Sequence, residues 1–327
     1  MLVLDNLYTE FVTPNGHVHA VNGVDLQVKQ GEILGLVGES GSGKSATIRS
    51  VLRLLPPSGQ IVKGSIRLGD TELTTLSASG LRQIRGRRVG FVAQSPFGAL
   101  NPILPLWKQF RNVLRSTGER VDRATVFEIG EELLGSVGIT DPKRVLSGYA
   151  HELSGGMAQR VVISMSLLLK PDLVLADEPT TALDVTVQKQ ILELLRHRVQ
   201  VLGAACVLVT HDLGVVANYC DRIAVMYAGK IVEAGTVADV FDEPAHPYTL
   251  ALLKSVPQLG RPVASLPGGP PELLTYPTGC PFLPRCKFAI PLCASEAPPS
   301  EDVSAGHTSA CHRRAEIATL RRAEVDT

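Results

Sequence analysis

The octapeptide GESGSGKS, Gly38 to Ser45, sets glycines, a lysine and a hydroxyl at the spacing G-x-x-x-x-G-K-[ST]. Glycines let backbone N–H groups approach phosphate oxygens, a lysine ammonium neutralises the β and γ phosphates, and a serine hydroxyl ligates Mg²⁺. The expected phosphate-binding set is Gly38, Glu39, Ser40, Gly41, Ser42, Gly43, Lys44, Ser45 and Ala46, with Lys44 also acting on the reacting phosphate. The competing explanation is a glycine-rich turn that happens to end in Lys-Ser. The apolar run EILGLVG before the loop and the helical segment after it favour the phosphate loop.

The run DLVLADEP supplies two carboxylates at the end of an apolar strand. Four of the five residues before Asp177 are apolar, which buries the strand and puts Asp177 and Glu178 at the carboxyl edge of an α/β sheet, where ligands bind. Asp177 is placed to hold Mg²⁺ through water and Glu178 to polarise an attacking water. An acidic pair ending a strand is more often a solvated turn, and it is the phosphate loop upstream that gives this pair its chemical reading.

The elements that must position these groups alternate. EILGLVG precedes a helix near Lys44, DLVLADEP precedes VTVQKQILELLRHRVQVLG, and AACVLVTHD follows. Strand and helix in turn predict a mostly parallel sheet covered by helices. Shorter strand candidates around residues 2–11, 18–28 and 61–68 predict an antiparallel flank, and the pattern from about 95 to 160 predicts a helical subdomain. The fold class is therefore α/β, a P-loop NTPase domain over residues 1–240. Residues 256–299 hold eleven of the 22 prolines and three of the six cysteines, too many breakers for another sheet layer, so 241–327 reads as a small Pro/Cys-rich extension.

HELSGGMAQR places Ser154, Gly155 and Gly156 before a long helical stretch, a second helix N-terminus suited to an anion. One nucleotide does not easily need both ends from one subunit. This segment resembles the signature of ATP-binding cassette (ABC) ATPases, in which the helix end closes on the γ-phosphate bound to the opposite subunit. Further motifs follow the family's order. FVAQSP offers Gln94, which matches the glutamine loop that touches Mg²⁺ and the attacking water. TTALD offers Asp184, which matches the loop crossing the dimer interface, and VLVTHD offers His211, which matches the switch histidine at the γ-phosphate. Singly, a glutamine is usually a surface residue and a histidine a packing one. These motifs, taken together in the family's order between 38 and 211, exclude coincidence. The family's adenine-stacking aromatic falls on Phe11 or Tyr8, and each reads equally as a core or edge-strand aromatic.

The tail resembles that of ATPase subunits of oligopeptide and dipeptide importers, a group that includes nickel importers, through EPAHPYTLALLKSVP at 243–257 and the cysteines after it. Cys280, Cys286, Cys293 and Cys311 form C-x5-C-x6-C-x17-C, which in many members of that group resembles a [4Fe–4S] site. A Cys₄ set is the common cluster ligation. Structural zinc with His307 or His312, and plain thiols, are the alternatives. Cys206 and Cys220 are expected in packing. Two departures from the family stand out: Ala93 and Ser95 flank Gln94 where relatives tend to carry an aromatic and an acidic residue, and Met157 replaces the glutamine of the generic signature, as is usual in this subgroup.

The resemblance implies an ATP-hydrolysing subunit that powers import of peptides, or of nickel. Its expected partners are a second, related ABC subunit, two transmembrane permeases and an extracytoplasmic binding protein. A soluble ABC ATPase acting on DNA or ribosomes is the rival, but it usually carries two cassettes or a long coiled coil. With 32 basic and 32 acidic residues the chain is neutral, and the arginines Arg82, Arg85, Arg87 and Arg88 lack interleaved aromatics, so no nucleic-acid partner is expected. The start MLVLDNLYTEF lacks a leader pattern, and VVISMSLLL is half a membrane span. The expected location is peripheral, on the cytoplasmic face of the membrane, where the reducing environment keeps thiols free.

Overall fold

The computed structural model describes residues 1–181, 183–256, 266, 268–269 and 271–317. The extension's segments 257–265 and 318–327, and Ala182 of the TTALD loop, lie outside the described residues. In chain order the first half contains β1 (Leu2–Thr13), β2 (Gly16–Val28), β3 (Ile33–Val37), α1 (Lys44–Val51), β4 (Gly59–Leu68), β5 (Thr71–Glu72), α2 (Ala78–Ile84), β6 (Val89–Val92), α3 (Pro96–Ala99), α4 (Leu106–Arg115), α5 (Arg123–Ser136), α6 (Pro142–Ser147) and α7 (Gly155–Leu167). There follow β7 (Leu173–Asp177), α8 (Val185–Leu202), β8 (Ala205–Thr210), α9 (Leu213–Tyr219), β9 (Arg222–Tyr227), β10 (Lys230–Thr236), α10 (Val237–Asp242), α11 (Pro247–Lys254), α12 (Leu292–Ser295), β11 (Glu301–Ser304) and β12 (His307–Ser309).

These elements fall into two compact units, one made of residues 28–32 and 75–209, the other of residues 2–27, 33–74 and 210–327. In the first unit β6, β7 and β8 run parallel, with Val89 beside Leu173 and Leu173 beside Ala205. LVLAD and ACVLVT are buried along their whole length, the continuous apolar run that a parallel strand covered on both faces requires. Helices α3 to α7, from Pro96 to Leu167, belong to the same unit. Gly90 on β6 lets α7 come close: a Cβ there would lie 2.4 Å from the Ser166 carbonyl.

In the second unit β1, β2, β4 and β5 make the antiparallel flank in the order β2-β1-β4-β5, with Leu2 opposite Leu68. Beside it β3 pairs parallel with β9 and β9 antiparallel with β10. The extension differs from a separate appendage. Its β12 pairs with β10, Glu233 opposite Ser309, and β11 pairs with β12, so the tail prolongs a sheet edge once the proline-rich stretch has passed. Leu273 and Phe282 join Val37, Val225, Tyr227 and Tyr248 in one buried cluster. The boundary at 240 therefore marks a change of composition, while the compact unit runs across it.

A buried carboxylate fixes that union. Glu233 on β10 is 1% exposed and accepts the backbone N–H groups of Ala245 (2.6 Å) and His246 (3.0 Å), and His307 Nε2 lies 2.8 Å from it. Burying a carboxylate without such partners costs several kcal/mol, so strand, turn and tail hairpin hold together. His246, 2% exposed, receives the Tyr248 N–H on Nδ1 at 3.0 Å, and burial pushes its imidazole down to about 3. The folded chain keeps this ring neutral while the unfolded chain protonates it below about pH 6.5, so stability present above that pH drains away as pH falls toward 3. Between pH 6.5 and 5 wild type should lose about 1–2 kcal/mol more than His246→Asn, whose amide oxygen can accept the same N–H. Denaturant unfolding at both pH values checks this.

Candidate functional site

The phosphate loop sits between β3 and α1, and its backbone has no room for side chains at two glycines. Gly38 has φ 152° and a Cβ there would lie 2.1 Å from the Met226 carbonyl; Gly43 has φ 105° and its Cβ would lie 2.3 Å from the Ala20 carbonyl. Both φ values belong to the region open to glycine. Lys44, 5% exposed, donates from Nζ to the carbonyls of Gly38 and Glu39, each at 2.8 Å, so its ammonium spans the loop. Ser45 and Ala46 are half-buried in the first turn of α1, Gly41 and Ser40 are exposed, and Ser42 Oγ is buried with no hydrogen-bond partner. His211 follows β8 and is exposed, and the next residue, Asp212, caps α9 by accepting from the N–H groups of Gly214 (2.8 Å) and Val215 (3.3 Å).

Phe11 and Tyr8 both lie half-buried on β1. Phe11 faces Gly59 across the strand pair, and its ring occupies the space a Cβ at Gly59 would need. Tyr8 lies under the Lys63 ammonium, 5.2 Å from ring centre, with its hydroxyl against Gly23.

In the other unit the strand-end carboxylates differ sharply. Asp177 is fully buried, whereas Glu178 is half-buried and has φ 46°, left-handed for a non-glycine residue, with its N–H donating to the Val209 carbonyl at 3.0 Å. Such backbone costs about 1–3 kcal/mol and persists where the surroundings enforce it, which is common at reacting sites. Gln94 Nε2 reaches Glu178 Oε2 at 3.3 Å and Thr181 Oγ1 donates to the same oxygen at 2.9 Å. The structure thus joins Gln94 to Glu178 and adds Thr181, which sequence reading missed because its spacing is that of an ordinary turn.

Ser154 caps α7 by accepting from the Met157 N–H at 3.3 Å, and Asp184 caps α8 by accepting from the Val187 N–H at 3.0 Å. A Cβ on Gly156 would meet Val187 Cγ1 at 2.8 Å, so the two helix starts pack together through that glycine. Met157 serves the cap through its backbone, which leaves its side chain free to vary. Ser95 caps the short α3 by accepting from Gly98 at 3.2 Å. Of the arginine run only Arg82 is exposed; Arg85, Arg87 and Arg88 are half-buried, and Arg88 pairs with Asp172 at 2.8 Å.

Cys280, Cys286, Cys293 and Cys311 line one cavity together with Phe282, Phe288 and His312. Burial, reinforced by neighbouring thiols, pushes up Cys280 and Cys286 and takes Cys311 to about 12. Among the described residues no three His, Cys, Asp or Glu side chains stand in a metal-holding arrangement. The donors suit a cation in kind, and their spacing in this structure does not. Zinc aided by His307 is not supported: that ring faces Glu233. Cys206 is buried in β8, and Cys220 is half-buried over Gly35, as packing residues.

A phosphate loop, a strand-end carboxylate pair and a capped glycine helix start on this arrangement of sheets define an ABC ATPase. Residues 21–181 match the ABC transporter family and residues 232–293 the oligopeptide/dipeptide transporter C-terminal region. A probable peptide ABC transporter ATP-binding protein of Sinorhizobium fredii is 44% identical over 98% of this chain and 97% of its own. The oligopeptide transport ATP-binding protein OppD of Salmonella typhimurium is 43% identical over 97% and 94%. An ATP-binding cassette solved as a dimer in a post-hydrolysis state with ADP and Pi is 26% identical, with TM-score 0.65 over 72% of this chain and 99% of that one. The chain belongs to the ABC transporter ATPases that carry the oligopeptide/dipeptide transporter C-terminal region.

Gly43→Ala combines a disfavoured φ with a backbone clash. It should weaken ADP binding more than tenfold and cost about 1–3 kcal/mol of stability, read by calorimetric titration and denaturant unfolding.

Proposed function

We propose that this chain hydrolyses ATP to power import of peptides through a membrane complex. The observation that carries the reading is the match to peptide-transport ATP-binding proteins over nearly the whole chain, tail included. In this reading Lys44 and the loop amides, with Gly38 to Ala46, hold the triphosphate, and Phe11 stacks on adenine. Glu178, oriented by Gln94 and Thr181, aligns a water in line with the γ-phosphorus, and His211 steadies the transferred phosphoryl group. Ser45, Gln94 and Asp177 offer the oxygen donors that Mg²⁺ prefers. Held there, the ion would offset phosphate charge during hydrolysis. Ser154, Gly155, Gly156 and Asp184 present a helix end and an interface loop to the nucleotide of a second, related ATPase subunit. Two permeases and, through them, an extracytoplasmic binding protein complete the complex.

Among the described residues no helix is long and apolar enough to cross a membrane. In this reading the chain sits peripherally on the cytoplasmic face, against the permeases. A [4Fe–4S] cluster belongs to this reading through the Cys₄ donor set that lines one cavity, and binding it would require the four thiols to shift from the spacing seen here. Protein purified without oxygen should then absorb broadly near 400 nm, lose that band with dithionite, and lack it in Cys280→Ser. A colourless protein holding one zinc would end this part of the proposal.

The tagged chain should bring down two polytopic membrane chains and a second ATP-binding chain from native membranes in mild detergent. In that complex Glu178→Gln should still bind ATP while turnover falls about a hundredfold or more, as expected for a group that orients the nucleophile. Ribosomal partners alone would remove the transport role. Full turnover in Glu178→Gln would remove the assignment of Glu178.

A further inference from the structure

The cysteine-rich tail reaches the phosphate loop through one side chain. Arg285 immediately precedes Cys286, and its guanidinium meets the Glu39 carboxylate with both terminal nitrogens, at 2.6 and 2.9 Å. The arginine side chain is only 5% exposed and that of Glu39 26%, so the pair is shielded from water. A two-pronged contact of this kind fixes direction as well as distance. The backbone of the same loop residue is also held: the Glu39 N–H donates to the Tyr248 hydroxyl at 2.8 Å. Tyr248 is fully buried, and its ring packs against Tyr227 at 4.6 Å and Phe282 at 5.4 Å. Tyr227 in turn meets Phe282 edge-on at 5.2 Å, and its hydroxyl lies 3.4 Å from Arg285. Glu39 is thus gripped at its carboxylate by the tail and at its backbone by α11, with Tyr227 of β9 backing both partners, all in one compact unit.

Glu39 is the second residue of the phosphate loop, and its carbonyl accepts one of the Lys44 ammonium's hydrogen bonds. The grip therefore bears on the orientation of the lysine that meets phosphate. It also neutralises a carboxylate that would otherwise lie unpaired beside a triphosphate.

We propose that Arg285 is a positioning residue for nucleotide binding: its clamp on Glu39 makes the shape of the phosphate loop depend on the folded Cys-rich tail. The loop in turn braces the tail, because coupling between two binding-competent parts is reciprocal. The inference rests on the reading of residues 38–46 as a nucleotide loop.

The test is a double-mutant cycle on the full chain, with Mg-ADP affinity read by calorimetric titration. Arg285→Gln and Glu39→Gln should each weaken ADP binding about tenfold. The double variant should be no weaker than either single one, since the two act through one contact. Arg285→Lys should fall in between, a point charge being unable to grip both oxygens. A second readout is the reciprocal effect. ADP should slow proteolytic cleavage within the tail of wild type and lose that effect in Glu39→Gln, which a merely structural arginine would not bring about. Additive losses, or unchanged ADP affinity in Glu39→Gln, would overturn the clamp. If Arg285→Gln does not fold, Glu39→Gln alone decides, because it removes the contact from the loop side. Wild type failing to bind ADP would sink the nucleotide site itself, an outcome distinct from wild type binding and the variants binding equally well.

Discussion

Backbone crowding at the phosphate loop is the constraint on which the rest of this structure depends. The loop can curl as it does only because nothing projects from Gly38 toward the Met226 carbonyl or from Gly43 toward the Ala20 carbonyl. Those carbonyls belong to β9 and β2, so the loop is shaped between a strand of the mixed sheet and one of the antiparallel flank. The turn after β9 closes the arrangement: Gly229 donates its N–H to the Ser42 carbonyl at 2.9 Å and accepts the Asn22 N–H at 2.8 Å. Two segments far apart in sequence, residues 20–22 and 226–229, must therefore be in place before eight loop residues can present their amides.

The strand end at Asp177 and Glu178 in the other unit is shaped differently. A buried parallel strand brings Asp177 to full burial, and the chain then turns through a left-handed residue at Glu178, held by the Val209 carbonyl. That turn leaves the second carboxylate half-buried, where an amide and a hydroxyl can reach it. Two capped helix starts, at Ser154 and Asp184, are kept in contact because Gly156 offers no side chain to separate them from Val187. Packing, caps and one strained residue act together here, and none of them alone would define a site.

The tail is tied to its unit by polar groups that could not tolerate burial alone. Glu233 ties β10 to the turn before α11 and to His307 of the terminal hairpin, and Arg285 ties the cysteine segment to the loop. The aromatic group of Tyr227, Tyr248 and Phe282 gives these contacts a rigid base. Among the described residues of the proline-rich stretch, Leu273 and Phe282 pack into the buried cluster and Arg285 reaches the loop.

Local spacing carried the sequence reading. The phosphate loop, the apolar strand ending in Asp177 and Glu178, and the helix start at Ser154 to Gly156 were legible because backbone conformation and short-range hydrogen bonds act over a few residues. The alternation of buried strands and helices was legible for the same reason, as was the antiparallel flank before residue 70. The sequence did not disclose which distant groups meet. Glu39 and Arg285 are 246 positions apart, Glu233 and His307 are 74 apart, and no periodicity links them. Prolines and cysteines after residue 256 suggested a separate appendage, since composition reports what a segment cannot form and says nothing of what it can lie against. The sequence by itself determined the chemistry of the nucleotide loop and the class of fold. Only the tertiary structure decided that the tail shares a core with the strand before that loop and pairs with the loop through Arg285, because burial and ion pairing are set by proximity in space.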